Sequence, residues 1–81
     1  IHLLIVSPEK TLFEGQVKYV RLPGSAGQFA VFHNHAPLIS SLDAGEVVYR
    51  SGKDKICLNI SGGFVEVNDN TVSVCVTEAT A

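Results

Sequence analysis

Residues 55–77 read KICLNISGGFVEVNDNTVSVCVT and contain three extended segments separated by two turns. Apolar and polar side chains alternate in the first and third segments, which is the period of a β-strand with one buried face. Gly62 and Gly63 separate the first two segments, and Asn68-Asp69-Asn70 predicts a hairpin tip, since Asn and Asp tolerate positive φ. The predicted inward side chains are Ile56, Leu58, Ile60, Val72, Val74 and Val76.

The rest of the chain continues the pattern of short strands and turns. We predict further strands at residues 2–6, 11–13, 16–22, 28–32, 38–40 and 46–51, with a hairpin tip at 52–54. In the segment 16–22 the alternation slips, because Val17 and Tyr19 share one face while Val20 and Leu22 share the other. A β-bulge or burial on both faces would explain the slip.

These segments predict an all-β fold of about eight to ten short, mostly antiparallel strands, arranged as a sandwich or barrel. Parallel βαβ architecture is excluded, because it needs crossover helices and no segment forms a useful amphipathic helix. The 81 residues predict a single domain, 1–81.

Charge and composition exclude several classes of function. The net charge is −2 and the six Lys and Arg residues are scattered, so we expect no nucleic-acid partner. The longest apolar run, residues 3–6, is far shorter than the ~20 residues of a membrane-spanning helix. Cys57 and Cys75 lie in predicted strands outside any CxxC pair, which favours two reduced structural thiols.

Two groups of side chains suggest chemistry, and each has a simpler interpretation. His33 and His35 have the spacing of two metal ligands, but no third ligand is patterned, so the alternative is a loop whose imidazoles bond to backbone. Lys55 follows Asp54 near a hairpin tip, as the acceptor lysine does in lipoyl or biotinyl carrier domains, but the alternation of residues 55–60 predicts that Lys55 begins a strand and does not lie at the tip of the turn.

Catalysis has no visible basis in the sequence. No GxSxG elbow is present, and Ser61-Gly62-Gly63 precedes a strand, whereas a phosphate loop precedes a helix. We therefore expect no catalytic residue, metal, cofactor or small-molecule ligand. Adjacent apolar residues interrupt the alternation in residues 3–6 and again at Val47 and Val48, and we call these the doubled apolar pairs. They predict an exposed apolar surface of several hundred Å² for a protein partner.

Three stretches together resemble one family. They are IVSPEK at 5–10 with Phe13 and Gly15, LPGSAGQF at 22–29 with HAPL at 35–38, and GGFVEV at 62–67 with Asn70, Val72 and Val74. In this order and spacing they resemble the N-terminal β-sandwich domain of the epsilon subunit of F-type ATP synthases. The resemblance covers essentially the whole chain and implies a flattened sandwich of about ten strands.

The resemblance also implies a function. Epsilon subunits bind the gamma subunit and the ring of c subunits, and together these form a rotor driven by proton or sodium flow. Such a subunit holds no catalytic residue and lies, as a peripheral protein, on the cytoplasmic side of a bacterial inner membrane. A C-terminal helical hairpin follows this domain in many members. Either the hairpin was removed from this chain, or the chain is one of the short bacterial forms that lack it. In either case this chain alone is expected neither to bind ATP nor to inhibit ATP hydrolysis.

Site residues follow from the resemblance by position. The implied c-ring-facing residues are Ser25, Ala26, Gly27, Gln28, His33, Asn34 and His35. The implied gamma-facing residues are Ser7, His35, Ser61, Gly62 and Gly63. The family often has Glu at position 28 and Pro-Gly at 33–34, so Gln28 replaces a charge-assisted contact with a neutral hydrogen bond.

Overall fold

The computed structural model describes residues 1–77 and 79–80, the last two by backbone only. Ten strands and no helix occur in these residues. The strands are β1 His2–Val6, β2 Thr11–Gln16, β3 Val20–Leu22, β4 Phe29–Val31, β5 Leu38–Leu42, β6 Gly45–Ser51, β7 Asp54–Ile60, β8 Gly63–Asn68, β9 Thr71–Val76 and β10 Ala79–Thr80.

The strands form two five-stranded sheets. The first sheet has the order β2-β1-β9-β8-β5, and the second has the order β10-β7-β6-β3-β4. All strand pairs are antiparallel except β1 with β9, which join the start and the end of the chain in parallel. The molecule measures 27 × 27 × 20 Å. The predicted all-β sandwich of mostly antiparallel strands is confirmed.

The core lies between the sheets and consists of the inward side chain of every second residue. Its largest fully buried side chains are Leu3, Ile5, Val20, Leu22, Val31, Val47, Val65, Val67, Val72 and Val74. The predicted alternation in residues 55–77 is confirmed, since Ile60 and the three valines of β9 are buried while Ile56 and Leu58 pack against the core at half-burial.

Two tight turns join the long hairpins. Asp69 and Asn70 form the predicted β8–β9 tip with φ of 50° and 58°, the left-handed pair that a type I′ turn requires. The β6–β7 loop is one residue shorter than predicted. Asp54 pairs with Ser51 inside the ladder, so only Gly52 and Lys53 form the loop, and Gly52 supplies the positive φ of 61°.

The prediction of one strand over residues 16–22 was wrong. Val17 donates its N–H to the carbonyl of Ile1 beside the first sheet, whereas Lys18 donates to Arg50 in the second. The chain therefore changes sheets between these residues, and β3 begins only at Val20. This crossing, rather than a bulge, explains why the apolar side chains change from the odd-numbered Val17 and Tyr19 to the even-numbered Val20 and Leu22.

Other boundaries moved by one to three residues. The strand predicted to end before Gly15 continues to Gln16, because Gly15 pairs with Leu3 in the β1–β2 ladder. The strand predicted at 38–40 extends to Leu42 through its pairing with β8. The strand predicted at 28–32 is limited to Phe29–Val31, the residues that pair with β3.

The doubled apolar pairs have two different causes. In β1, Leu3 and Ile5 face the core, while Leu4 and Val6 are half-buried on the outer face of the first sheet. In β6, Val48 lies on the outer face of the second sheet between its register partners Arg21 and Cys57, yet it is only 1% exposed. The second pair therefore needs no partner protein, because the chain itself covers Val48.

Because the Tyr49 side chain is buried, we expect the protein to lose stability at alkaline pH. The tyrosine ring is buried beside Phe13, with centroids 4.5 Å apart, and burial raises the pKa of the Tyr49 phenol above 10.0. Because the folded state then favours the neutral phenol, this stability is complete below about pH 10 and is lost as pH rises through the higher folded pKa. Urea unfolding from pH 9 to 11.5 should show a steeper decline for the wild type than for Tyr49→Phe. Tyr19→Phe retains Tyr49 and should keep the wild-type decline. Identical profiles for wild type and Tyr49→Phe would contradict the expectation.

Candidate docking surfaces

The predicted site residues lie at the two ends of the first sheet. At one end, here called the Gly63 end, the register brings together Val6, Val76, Gly63 and Leu42. The opposite end, here called the Asn70 end, carries the start of β5 and the Asp69–Asn70 turn. The residues of one strand between the two ends span about 17 Å at ~3.3 Å per residue.

The Gly63 end contains an apolar groove of about 340 Å³. Its lining residues are Val6, Ser7, Pro8, Gly63, Phe64, Cys75, Val76 and Thr77. The Phe64 side chain is 52% exposed there. The β1–β2 turn is closed by Ser7, whose N–H donates to the Lys10 carbonyl at 2.9 Å, and the carbonyl of Gly62 accepts from the Thr77 N–H at 3.0 Å. Two of the predicted gamma-facing residues, Ser7 and Gly63, thus line one groove, and Ser61 and Gly62 adjoin it in sequence.

The segment Ser25 to Gln28 also lies near the Gly63 end. The Ser25 N–H donates to the Ser41 carbonyl at 3.0 Å, and the Ser25 hydroxyl donates to Asp43 Oδ1 at 2.9 Å. The Ser41 hydroxyl donates to Ser25 Oγ at 2.9 Å. Ala26, Gly27 and Gln28 follow with exposed side chains or backbone. This loop is therefore tied to the end of β5 and leaves its tip open to a partner.

The segment His33 to His35 lies at the Asn70 end. Asn34 has a left-handed φ of 59°, and its N–H donates to Asn70 Oδ1 at 3.0 Å. Asn70 Nδ2 lies 3.3 Å from His33 Nδ1, and His35 Nδ1 lies 2.7 Å from the Ala36 carbonyl. The sequence predicts Asn70 as a turn residue but gives no sign of this contact, since nothing in the spacing pairs residues 37 positions apart.

The structure thus divides both predicted sets of residues. Of the c-ring-facing set, Ser25 to Gln28 lie near the Gly63 end and His33 to His35 at the Asn70 end. Of the gamma-facing set, only His35 lies at the Asn70 end. Among the large apolar side chains, Phe64 and Ile39 (74% exposed) share the outer face of the first sheet as diagonal neighbours. Which partner meets each end stays a prediction.

The remaining candidate groups are dispersed. The part of the chain that the structure describes contains no group of three or more His, Cys, Asp and Glu suited to a metal ion. Lys55 is exposed and pairs with Arg50 inside the β6–β7 ladder, so the hairpin tip is formed by Gly52 and Lys53 instead. Cys57 and Cys75 lie in β7 and β9, which are strands as predicted. No helix long and apolar enough to cross a membrane occurs in the described residues.

Comparison with known proteins identifies the family. Residues 1–81 match the family described as ATP synthase, Delta/Epsilon chain, beta-sandwich domain. The chain belongs to this family. A curated relative, the ATP synthase epsilon chain of Leptospira borgpetersenii serovar Hardjo-bovis, is 42% identical over 91% of this chain and 58% of its own length. The ATP synthase epsilon chain of Nitratidesulfovibrio vulgaris (strain Miyazaki F) is 40% identical over 91% of this chain and 55% of its own.

A solved ATP synthase structure contains a chain with a similar fold. A chain in the cryo-EM structure of the Euglena gracilis mitochondrial ATP synthase (OSCP/F1/c-ring, rotational state 1) matches with a TM-score of 0.89 and 25% identity. The match covers 96% of this chain and 51% of that one. The chain spans between 55% and 58% of the length of the two curated relatives described above. Residues 1–81 therefore correspond to the β-sandwich domain of the delta/epsilon family, and the two curated relatives are longer than this domain.

Proposed function

We propose that this chain, as a single domain over residues 1–81, is a central-stalk domain of an F-type ATP synthase that binds the gamma subunit and the c ring. The observation that carries the proposal is the delta/epsilon family match across all 81 residues. In this role the domain transmits rotation between ring and stalk and catalyses no reaction itself. Ion flow, of protons or sodium, turns the ring, and ATP is made elsewhere in the complex.

The proposed role suits a small rigid domain with two separate surfaces. A stalk domain must contact two partners at once and must not deform when one of them turns. The two hydrogen-bonded sheets around one buried core supply the rigidity, and the two ends of the first sheet supply surfaces about 17 Å apart. Through these partners the domain would be peripheral to the membrane, on the cytoplasmic side of a bacterial inner membrane.

We assign the groove at the Gly63 end to the gamma subunit. Its apolar lining supports this assignment, because a permanent interface has an apolar centre in which a few aromatic side chains carry most of the affinity. Phe64 is the exposed aromatic residue of this groove. The polar loop His33 to His35 at the Asn70 end is left for the ring, while Ser25 to Gln28, near the Gly63 end, would border the gamma contact.

Phe64→Ser tests the assignment by measuring affinity for the purified gamma subunit. We expect the Kd to rise about 10- to 30-fold, since a central aromatic contact typically contributes this much. Ile39→Ser is the matched control, because Ile39 is an exposed apolar residue on the same sheet that lies outside the groove. No effect of Phe64→Ser would place the gamma contact elsewhere, and an equal effect of both substitutions would show that gamma covers the outer face that Phe64 and Ile39 share, so that the contact is not confined to the groove. Failure of the wild type to bind gamma would refute the proposed function.

A further inference from the structure

The loop between β4 and β5 is held by one side chain of the β8–β9 turn, that of Asn70. The Asn70 amide contacts the loop twice, accepting from the Asn34 N–H at 3.0 Å and approaching His33 Nδ1 at 3.3 Å. Because a backbone N–H can only donate, the amide oxygen must face Asn34 and the amide nitrogen must face His33. Asn70 Nδ2 therefore donates to an unprotonated His33 Nδ1.

The base of the Asn70 side chain is fixed by the first sheet. Asn70 is the second residue of the Asp69–Asn70 turn and has a left-handed φ of 58°. Its carbonyl accepts a hydrogen bond from the His2 N–H at 3.1 Å, which ties the turn to β1 as well as to β8 and β9. The amide thus projects from a turn that is anchored on both sides. Its hydrogen bonds restrict the β4–β5 loop, which connects the two sheets.

The same contacts decide which ring nitrogens the loop presents. Since Nδ1 of neutral His33 accepts from Asn70, the His33 proton lies on Nε2, which becomes a donor. The Ala36 carbonyl can only accept, so His35 Nδ1 carries the proton and Nε2 of neutral His35 is an acceptor. The loop therefore offers one donor and one acceptor nitrogen to a partner, at positions that depend on the loop conformation.

We propose that Asn70 is a positioning residue for the docking loop His33–His35, setting the loop conformation and the His33 tautomer that meet the c ring. This role rests on the proposed function, because it assumes that the loop contacts the ring. Asn70 acts through His33 and Asn34 and does not itself need to touch the partner.

The test is Asn70→Gly, with Asp69→Gly as its matched control. Glycine adopts left-handed φ without strain, so both variants keep the turn, and only the first removes the amide. Hydrogen exchange of the Asn34 amide, followed by NMR on the 81-residue chain, should be about 2- to 10-fold faster in Asn70→Gly than in Asp69→Gly. The chemical shift of His33 Nδ1 should also change, because this nitrogen loses its hydrogen-bond donor. Asn70→Asp retains the oxygen that faces Asn34 and should restore slow exchange there.

Binding to a purified c ring in detergent decides the positioning role. We expect the affinity to fall about 2- to 10-fold in Asn70→Gly and to stay at the wild-type value in Asp69→Gly. Equal hydrogen exchange of the Asn34 amide in both glycine variants would show that Asn70 does not hold the loop. Unchanged ring affinity despite faster exchange would overturn the positioning role. If the wild type binds gamma but not the ring, the positioning role fails while the stalk assignment stands. If it binds neither partner, the proposed function fails.

Discussion

Gly63→Ala is expected to remove about a third or more of the folding stability of the protein. Gly63 begins β8, has a φ of 149°, and lies against the backbone of β9. A Cβ atom at this position would overlap the Cys75 carbonyl oxygen and come within 3.0 Å of Val76 Cα. Because both obstacles are backbone, no side-chain rotation relieves the overlap, and β9 must separate from β8.

The expected cost is about 4 kcal/mol or more, in the range of the largest single-residue effects. Chains of this length are stabilised by about 4–12 kcal/mol, at ~0.05–0.15 kcal/mol per residue. Gly62→Ala is the matched control, since Gly62 has a similar φ of 156° while its Cβ would meet only the Leu42 carbonyl oxygen at 3.5 Å. That variant should lose about 1–3 kcal/mol to backbone strain. Thermal unfolding by circular dichroism measures both, and equal midpoints would show that β9 tolerates the extra atom.

Leu3→Ala is expected to lower the free energy of unfolding by about 2–5 kcal/mol, the usual cost of removing a fully buried leucine side chain. Leu3 is 0% exposed and lies in β1, which is paired on one side with β2 and on the other with β9. The cavity would therefore form where the first sheet meets the core, bordered by strands that cannot collapse inward without breaking their ladders.

Leu4→Ala provides the control for Leu3→Ala, because it removes the same atoms from the next residue of the same strand. Leu4 is half-buried on the outer face and lies outside the core cluster. Urea unfolding of both variants should show a loss at least about twice as large for Leu3→Ala, since less apolar area at Leu4 is hidden from water. A larger loss for Leu4→Ala would mean that the inward and outward faces of β1 were assigned the wrong way round.

Local patterns in the sequence were sufficient for the strands of residues 55–77. There each inward side chain is apolar and each turn contains Gly, Asn or Asp, so periodicity and turn chemistry agree. The segment 16–22 was misassigned because a chain that changes sheets keeps its extended backbone and its apolar content. Only the hydrogen bonds of Val17 and Lys18, made to different sheets, reveal the crossing.

Contacts between distant parts of the chain could not be predicted from the sequence. The parallel pairing of β1 with β9 and the clamp of Asn70 on the His33–His35 loop join residues far apart in sequence. The family resemblance predicted two ring-facing segments, Ser25 to Gln28 and His33 to His35, but not their placement at opposite ends of the first sheet. That placement depends on the direction of β5 and β8, which no local pattern specifies.

The central claim is that this chain is a stalk domain, and co-purification with the gamma subunit tests it most directly. The two proteins would be co-expressed with an affinity tag on gamma only, washed at moderate salt and analysed by size-exclusion chromatography with light scattering. We predict a complex of one gamma subunit and one copy of this chain that survives the wash. Elution of the folded chain by itself, apart from folded gamma, would contradict the claim.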